Sequence, residues 1–261
     1  MNSRTRNIII FLILLMLVGC TNSIKNKKES EYALIKGINL TQQGNYEDAI
    51  REYNISYAIN PKNPMLLKEM AFIYYQFNNY EKAENYWIDA LDISPNDDEI
   101  IRNLATLYYK TGRFDSVLSI IDKSYNPSSD YYLKLKGLIE YKKNNYRGTE
   151  KYFGSIKLEN FDLESYLIYL DVIKNMKSST EYYVYLKKGL DLFSNDKNYI
   201  LYYAQEMAFL FKEYDVAEQI LLAYLVDVGS DNQVIEELSS VYLKAGENEK
   251  SNDILLLLNK R

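Results

Sequence analysis

One cysteine and a complete lack of histidine limit the chemistry open to this chain. Cys20 is the only cysteine, and no histidine occurs among the 261 residues. Histidine is the commonest general base and metal ligand, so catalytic triads, zinc sites and thiol chemistry are excluded. Carboxylates stand side by side at Asp97–Glu99 and Glu236–Glu237, but sequence neighbours do not converge on a helix surface. We interpret them as helix caps and solvated charges, and we predict no catalytic residue, metal or cofactor.

Cys20 directly follows an apolar segment at the start of the chain. Arg4 and Arg6 precede the 11 apolar residues from Ile8 to Val18. A basic start followed by a short apolar run is typical of a secretory signal peptide. Because spanning a bilayer takes roughly 20 residues, the run predicts a cleaved signal, residues 1–19, rather than a permanent membrane span.

The residues around the expected cleavage site resemble a known motif. Leu17-Val-Gly-Cys20 resembles the lipobox of bacterial lipoproteins. The resemblance implies that Cys20 becomes the first residue and carries a covalent diacylglycerol and an N-acyl chain such as palmitate, which together anchor a protein stably. Residues 20–29 would then form a flexible tether. The alternative is an ordinary, unmodified signal cysteine.

Two further features bear on location and partners. By analogy with the sorting rule of enteric bacteria, Thr21 after the lipidated cysteine favours the outer membrane over the inner membrane. Removal of the signal takes away Arg4 and Arg6, which leaves 29 basic and 36 acidic residues and a net charge of −7. Nucleic acid is therefore not an expected partner.

The rest of the chain is organised by an internal repeat. Aromatic residues recur at a period of about 34 residues, which indicates a helical-repeat solenoid. They are Tyr46, Tyr80, Phe114 and Tyr146. A residue that tolerates a left-handed backbone lies two positions before each aromatic residue. These residues are Gly44, Asn78, Gly112 and Asn144, and Gly246 occupies a later turn. Three residues after each stands a small or slim side chain, namely Ala49, Ala83, Val117 and Thr149.

Small residues and prolines define the rest of each unit. Gly37, Ala71, Ala105 and Gly137 lie in the middle of an upstream helix, where two helices can approach closely. Pro61 and Pro95 fall where the second helix must stop, because proline lacks the backbone donor. Each unit is thus predicted to be an antiparallel helix pair.

Together these residues resemble the tetratricopeptide repeat. The resemblance implies an all-α solenoid of antiparallel helix pairs that forms a right-handed superhelix over residues 30–261. Seven units are assigned, at 30–63, 64–97, 98–129, 130–161, 162–196, 197–230 and 231–261. Unit 162–196 lacks the turn glycine, and we align Glu206–Phe209 with Glu69–Phe72, followed by a turn three residues shorter. A generic helical bundle is the alternative.

The resemblance also implies a binding face, lined by the first helix of each pair. The residues predicted to bind a partner there are Lys68, Phe72, Tyr75, Arg102, Thr106, Tyr109, Lys134, Leu138 and Tyr141. The three tyrosines occupy equivalent places and would form an aromatic ladder flanked by lysines, suited to an acidic or apolar peptide. Alternatively, they only pack between adjacent units.

The expected function is therefore that of a non-enzymatic, lipid-anchored scaffold or adaptor of a bacterial envelope. Similar plans occur in the repeat lipoprotein of the outer-membrane barrel assembly machine, in pilotins that escort pilus secretins, and in adaptors that recruit peptidoglycan hydrolases. One alternative is a structural protein that self-associates, as a homodimer, through the apolar run Ile254–Leu258 of its last helix. Another is an envelope hydrolase that uses a carboxylate pair.

Overall fold

The computed structural model describes residues 25–256 and residue 258 of the chain. Its regular elements in this range are all helices. No helix within the described range combines the length and the apolar character that crossing a bilayer requires. The expected signal peptide, Cys20 and the first residues of the tether lie outside the described residues, so those expectations stay predictions.

The helices fall into two compact units, of which the first ends at Pro127 and the second begins at Ser128. In the first unit, α1 covers residues 25–42. It is followed by α2 (Tyr46–Ile59), α3 (Pro64–Gln76), α4 (Tyr80–Ile93), α5 (Asp98–Lys110) and α6 (Phe114–Ile121). Consecutive helices pack against each other across short turns, which makes each pair antiparallel.

The second unit continues the same alternation with one irregular helix. Its elements are α7 (Asp130–Lys142), α8 (Tyr146–Phe153), a 3₁₀ turn (Leu158–Asn160), α9 (Leu163–Met176), α10 (Ser179–Leu192), α11 (Lys197–Gln205), α12 (Tyr214–Val228), α13 (Asn232–Ala245) and α14 (Asn248–Leu255). A π-helical turn, Glu206–Phe211, continues α11 without a break. The antiparallel pairs expected from the sequence are thus confirmed.

Left-handed residues end the first helix of most pairs, as the repeat pattern predicted. Gly44, Asn78, Gly112, Asn144 and Gly246 have φ values between 57° and 84°. Glycine adopts this conformation at no steric cost and asparagine at little. The following asparagine is often the N-cap of the second helix, as where the Asn79 side chain accepts a hydrogen bond from the backbone of Lys82.

Close helix approach explains the small residues. Ala49, Ala83, Val117 and Thr149 are fully buried. A Cβ added at Gly37 would overlap the ring of Tyr53, and one added at Gly137 would overlap the ring of Phe153. The second helices end as predicted, because α2 stops at Ile59 and α4 at Ile93, just before Pro61 and Pro95.

The structure differs from the prediction at both ends of the solenoid. Residues 25–29, expected in the tether, are already helical, and Lys27 and Glu31 form an i,i+4 pair of 3.9 Å that supports a helix there. Ser30 is buried, with its hydroxyl 3.0 Å from that of Ser56. At the other end, α14 ends at Leu255 and so includes Ile254 and Leu255 of the apolar run.

Candidate functional site

The first predicted binding residue, Lys68, forms ion pairs with two carboxylates of the first unit. Its ammonium group lies 3.3 Å from the carboxylate of Asp97 and 2.5 Å from that of Glu99. Partial burial disfavours the charge on Lys68, but its hydrogen bonds with Glu99 and Asp97 outweigh that effect and raise its pKa. Lys68 therefore joins α3 to the start of α5.

Phe72 is the predicted binding residue of α3 that is most open to solvent. It is 38% exposed, and Met65, two helical turns earlier, is 51% exposed. Both side chains lie on the α3 face that also carries Lys68, since residues seven apart share a face. Most other large apolar residues of α3, including Leu66, Met70 and Ile73, are buried. Met65 was not among the predicted residues, although its spacing from Phe72 could have revealed it.

Tyr75 is held within the packing of the first unit. Its ring lies 5.7 Å from the rings of both Tyr80 and Trp87 in α4. The ammonium group of Lys110 lies 4.9 Å from the centre of the Tyr75 ring and 5.2 Å from that of Tyr80. This cation sits over two aromatic faces, which attract it electrostatically.

The α5 residues of the predicted face are also engaged by neighbours. The guanidinium of Arg102 donates to Asp98 at 2.8 Å. The Thr106 hydroxyl donates to the Arg102 carbonyl at 2.8 Å, and the Tyr109 ring lies 6.0 Å from that of Phe114. Because α3 and α5 are joined through Lys68 and Glu99, these polar groups border the apolar face of α3.

In the second unit, the predicted residues of α7 make similar internal contacts. Lys134 pairs with Asp162 at 2.5 Å, and Leu138 packs against the core. Tyr141 stacks on Tyr146 with ring centres 6.0 Å apart and donates a hydrogen bond to Asp171 at 2.9 Å. Burial, aided by that bond and the Asp171 charge, raises the pKa of Tyr141 to about 12.

The three tyrosines of the predicted ladder thus share a structural role. Tyr75, Tyr109 and Tyr141 are half-buried, and each packs against the aromatic residue five positions later. These ring contacts lie within one repeat unit, whereas the alternative left open by the sequence was packing between adjacent units. The contact of Tyr75 with Lys110 and the bond from Tyr141 to Asp171 do join adjacent units. The binding role of the three tyrosines stays a prediction, and Phe72 becomes the best-exposed aromatic among the predicted residues.

A repeated lysine contact was missed at the sequence level. Four described helices have an N-cap aspartate whose side chain accepts hydrogen bonds from backbone N–H groups of the first turn, and three of these aspartates pair with a lysine of an earlier first helix. The pairs are Lys68 with Asp97, Lys134 with Asp162, and Lys197 with Asp231. The signal was an aspartate before each helix, about 30 residues after a lysine.

The lysine partner also affects the aspartate itself. Burial alone would raise the pKa of Asp162, but hydrogen bonds from Lys134 and Ser165 outweigh it and hold the pKa below its usual value. At Asp231, burial likewise acts to raise the pKa, and bonds from the Val234 backbone and Lys197 lower it. Asp162 and Asp231 are therefore stabilised in their charged form.

The turn after α11 contradicts one sequence alignment. In regular turns the N-cap amide of the second helix donates to a carbonyl five residues earlier, as from Asn79 to Tyr74 at 2.8 Å. Here Glu213 donates to Met207, six residues earlier, at 2.8 Å. Met207 thus takes the place of Tyr74, so the alignment of Glu206–Phe209 with Glu69–Phe72 was wrong. The π-helical turn accommodates one extra residue rather than a shortened turn.

This irregular turn exposes apolar side chains. Phe209 is 36% and Leu210 45% exposed, and Leu243 in the adjacent α13 is 56% exposed. The turn ends at Lys212, whose φ of 63° is left-handed. No glycine or asparagine marks this position, which is why the sequence pattern did not reveal it.

Four of the five carboxylates considered as catalytic groups make other contacts. Asp97 caps α5, Asp98 binds Arg102, and Glu99 binds Lys68. Glu237 accepts a hydrogen bond from Gln205 at 2.7 Å. Within the described part of the chain, no group of three or more histidine, cysteine, aspartate or glutamate side chains could hold a metal ion.

Comparison with known proteins identifies the fold. No family model matches the sequence, and no curated protein matches it. A tetratricopeptide repeat protein from Parabacteroides merdae ATCC 43184 has a similar crystal structure, with a TM-score of 0.60 and 18% identity over 87% of this chain and 91% of that one. The apo form of RapI is similar over 87% of this chain and 94% of its own, with a TM-score of 0.55 and 15% identity.

A third structure, from a functional study of Pseudomonas aeruginosa pilF, covers 90% of this chain and 92% of its own, with 13% identity. Its TM-score of 0.45 is too low to support any statement about function. The similarity to the first two structures, the left-handed helix ends, the small residues at helix crossings and the terminal prolines agree with one another. The chain therefore has the all-α fold of tetratricopeptide-repeat proteins.

Proposed function

We propose that the protein is a non-enzymatic adaptor that binds another protein through the exposed face of α3. The observation that supports this function is the pair Met65 and Phe72, two large apolar side chains exposed two turns apart on one helix face. Burying such side chains against a partner is favourable in proportion to the apolar area covered. The fold provides the rigid first helices on which such a face is presented.

The surroundings of this face have the composition of an interface rim. Lys68, Arg102 and Thr106 are polar, and all three are held by contacts within the first unit. Stable interfaces commonly combine an apolar centre with a polar border whose side chains are already ordered. We infer that Phe72 is the anchor of the interface, with Met65 beside it, and that Tyr75 and Tyr109 support the helices rather than contact the partner through their full rings.

Photocrosslinking in intact cells tests this proposal. A photoreactive residue at position 72 should capture one defined protein, identified by mass spectrometry. The matched control is position 88, because Ile88 is similarly exposed, at 37%, but lies on the second helix α4. With the captured protein purified, Phe72→Ser should weaken binding by about tenfold or more, whereas Ile88→Ser should not. Equal capture from both positions would contradict the proposed face.

We further propose that Cys20 carries the lipid that anchors the adaptor in the cell envelope. The support is the sequence around Cys20. Growth with an alkyne-labelled palmitate should label the wild-type protein, while Cys20→Ser should abolish the label and release the protein from membranes. Retained label, or membrane association unchanged in the variant, would overturn this part.

The outer membrane is the proposed location, because the residue after the cysteine is Thr21 rather than aspartate. Density fractionation should place the wild-type protein with outer-membrane markers and Thr21→Asp with inner-membrane markers. The class of the partner captured at position 72 then decides among envelope assembly, pilus secretin escort and peptidoglycan-hydrolase recruitment. Inner-membrane fractionation of the wild type would contradict the location and leave the binding face untouched.

A second candidate function is self-association through the end of the chain. Leu256, directly after α14, is 54% exposed, while Ile254 packs against the core of the second unit. A homodimer that buries Leu256 would remove this apolar side chain from water. Sedimentation should then show a dimer for the wild type and a monomer for Leu256→Ser. A monomeric wild type would reject this candidate.

A further inference from the structure

The π-helical turn Glu206–Phe211 has features that its packing role does not require. It contains one residue more than the regular turns, and Lys212 after it adopts a left-handed φ of 63°. This conformation is unfavourable for a residue with a Cβ, and only three described residues other than glycine adopt it. π-helical turns and strained backbone are frequent at functional sites. The turn is therefore a place to look for a second function.

The turn carries an aromatic residue at a position that is polar in other repeats. Phe209 lies two residues after Met207, the equivalent of Tyr74. The residues at the same distance in other repeats are Gln76, Lys110, Lys142 and Lys244. We use the name π patch for Phe209, Leu210, Leu243 and Lys244. Its three apolar members are between 36% and 56% exposed, and α13 packs against the π-helical turn.

The π patch contains a lysine that has no carboxylate partner among the described residues. The Lys244 ammonium lies 5.7 Å from the centre of the Phe209 ring. Among the residues that the structure describes, neither Lys244 nor Lys212 is paired with a carboxylate.

None of the nearby acids that the structure describes pairs with Lys244. Glu206 binds Lys174 at 2.7 Å, Glu213 accepts from Tyr183 at 3.2 Å, and Glu237 accepts from Gln205. Lys244 is therefore the cation of the π patch that can pair with a carboxylate of a partner.

We propose that the π patch is a docking surface for an acidic, aliphatic peptide segment of a partner protein. An aliphatic side chain covers Phe209 and Leu243, and a neighbouring carboxylate accepts a charge-assisted hydrogen bond from Lys244. Removing water from the Phe209 ring also strengthens its attraction for the Lys244 ammonium. The surface lies in the second unit and does not involve Phe72, so it adds to the proposed function and does not depend on it.

Fluorescence anisotropy with synthetic peptides tests the proposal on the full mature chain. The probes are labelled peptides of about ten residues that alternate Leu with Glu, Leu with Lys, or Ser with Glu. We expect the Leu-Glu peptide to bind about tenfold or more tightly than the other two, with an affinity that falls as salt is added. Phe209→Ser and Lys244→Glu should each remove that preference, while Lys244→Arg should keep it.

Matched controls separate this surface from others. Val226→Ser changes an apolar residue of α12 that is 83% exposed, and Lys157→Glu reverses an exposed lysine of the same unit. Both variants, and Phe72→Ser, should bind the Leu-Glu peptide like the wild type. Equal binding of all three peptides, or a preference that survives Phe209→Ser and Lys244→Glu, would overturn the proposal. The proposal would also be overturned if the wild type sedimented as a dimer and Phe209→Ser as a monomer. The π patch would then bind a second copy of this chain rather than a partner protein.

Discussion

Two regions of the molecule place a glycine at a helix crossing, but on opposite partners. In the pair α1–α2, Gly37 is on the first helix and receives the ring of Tyr53 from the second. Around α10, the second helix carries Gly189, and the first helices α9 and α11 supply Tyr166 and Tyr199. The comparison shows that close packing at these two crossings uses a glycine. It does not fix which helix provides that residue.

The different placement of the glycine is accompanied by a different chemistry of the core. The hydroxyls of Tyr166 and Tyr199 donate to the carbonyls of Tyr185 and Leu186 at 2.7 Å each. The Tyr53 hydroxyl instead donates a hydrogen bond to the Glu69 carboxylate and lies 2.9 Å from the Thr41 hydroxyl. The second unit therefore contains many buried tyrosines whose hydroxyls must stay protonated, and the first contains few.

The largest expected effect follows from this difference and appears at high pH. Burial is the main cause that raises the pKa of Tyr202, Tyr203 and Tyr242 to about 12, above the ordinary value of about 10. A raised pKa means that the stabilisation is complete below about pH 10 and is lost as the pH rises toward 12. We expect the second unit to unfold first in this window.

The single tryptophan makes that order measurable. Trp87 is buried in α4 of the first unit, so its emission reports on that unit alone. In an alkaline titration, helical circular dichroism should fall before the Trp87 emission shifts. Simultaneous changes in the two signals would contradict the expected difference between the units.

The next largest effect concerns single-residue deletions. Deleting Leu210 should return the π-helical turn to regular α-helix and change the free energy of unfolding by less than about 1 kcal/mol. Deleting Thr106 from α5 should rotate the buried Leu107 and Tyr108 by about 100° and cost about 3 kcal/mol or more. Urea unfolding measures both. Similar losses would mean that the extra residue is not in the π-helical turn.

Alanine substitutions at the two glycines test the crossing itself. Gly189→Ala should destabilise by about 2–3 kcal/mol, because its Cβ meets two tyrosine side chains. Gly37→Ala meets only the Tyr53 ring, and the better helix propensity of alanine offsets part of the overlap, so about 1 kcal/mol is expected. Thermal or urea unfolding gives the order. A greater loss of stability in Gly37→Ala than in Gly189→Ala would contradict this expectation.

These contrasts show which features the sequence could reveal. Gly44, Asn78 and Gly112 mark their turns because few residue types tolerate a left-handed backbone. Lysine has no preference for the left-handed conformation, so Lys212 does not mark its turn in the sequence. The sequence alignment therefore assigned a shortened turn where the structure has one extra residue. Gly189 was missed because unit 162–196 lacks the turn glycine that sets the register of the repeat.

The candidate site was only partly readable for a similar reason. Tyr75 and Phe72 occupy first-helix positions that the repeat pattern treats alike, although one packs on Tyr80 and Trp87 and the other is exposed. Periodicity identifies a helix face but not which side chains a neighbouring turn covers. Lys68 was likewise assigned to binding because Asp97 and Glu99, its partners, are 29 and 31 residues away in sequence.

A smaller effect is expected where the irregular turn is made regular. Lys212→Gly should stabilise the protein by about 1 kcal/mol, because glycine adopts the left-handed conformation without steric cost. The matched change in a regular turn, Gly44→Lys, should destabilise it by a similar amount, since no neighbour limits the space there. Chemical denaturation checks the two opposite signs. Destabilisation by Lys212→Gly would show that the lysine side chain itself is needed.

The smallest expected effect concerns the lysines that contact helix caps. Lys134→Met should cost less than about 1 kcal/mol near neutral pH, since the pair with Asp162 is partly exposed. The lowered pKa of Asp162 means that its contribution is present above about pH 4 and is lost as the pH falls through the folded value. Acid unfolding of Lys134→Met should therefore begin at higher pH than that of the wild type. Identical acid-unfolding midpoints for the wild type and Lys134→Met would show that Lys134 does not stabilise the charged form of Asp162.

The lysine contacts at the caps also have a direction along the chain. In each pair the lysine comes earlier in sequence and the aspartate, which begins a later helix, comes about 30 residues afterwards. A ribosome synthesises the lysine first, so each new aspartate emerges when a folded repeat can already present its cation. The array can therefore grow in the order of translation, with each finished repeat acting as the template on which the next helix starts.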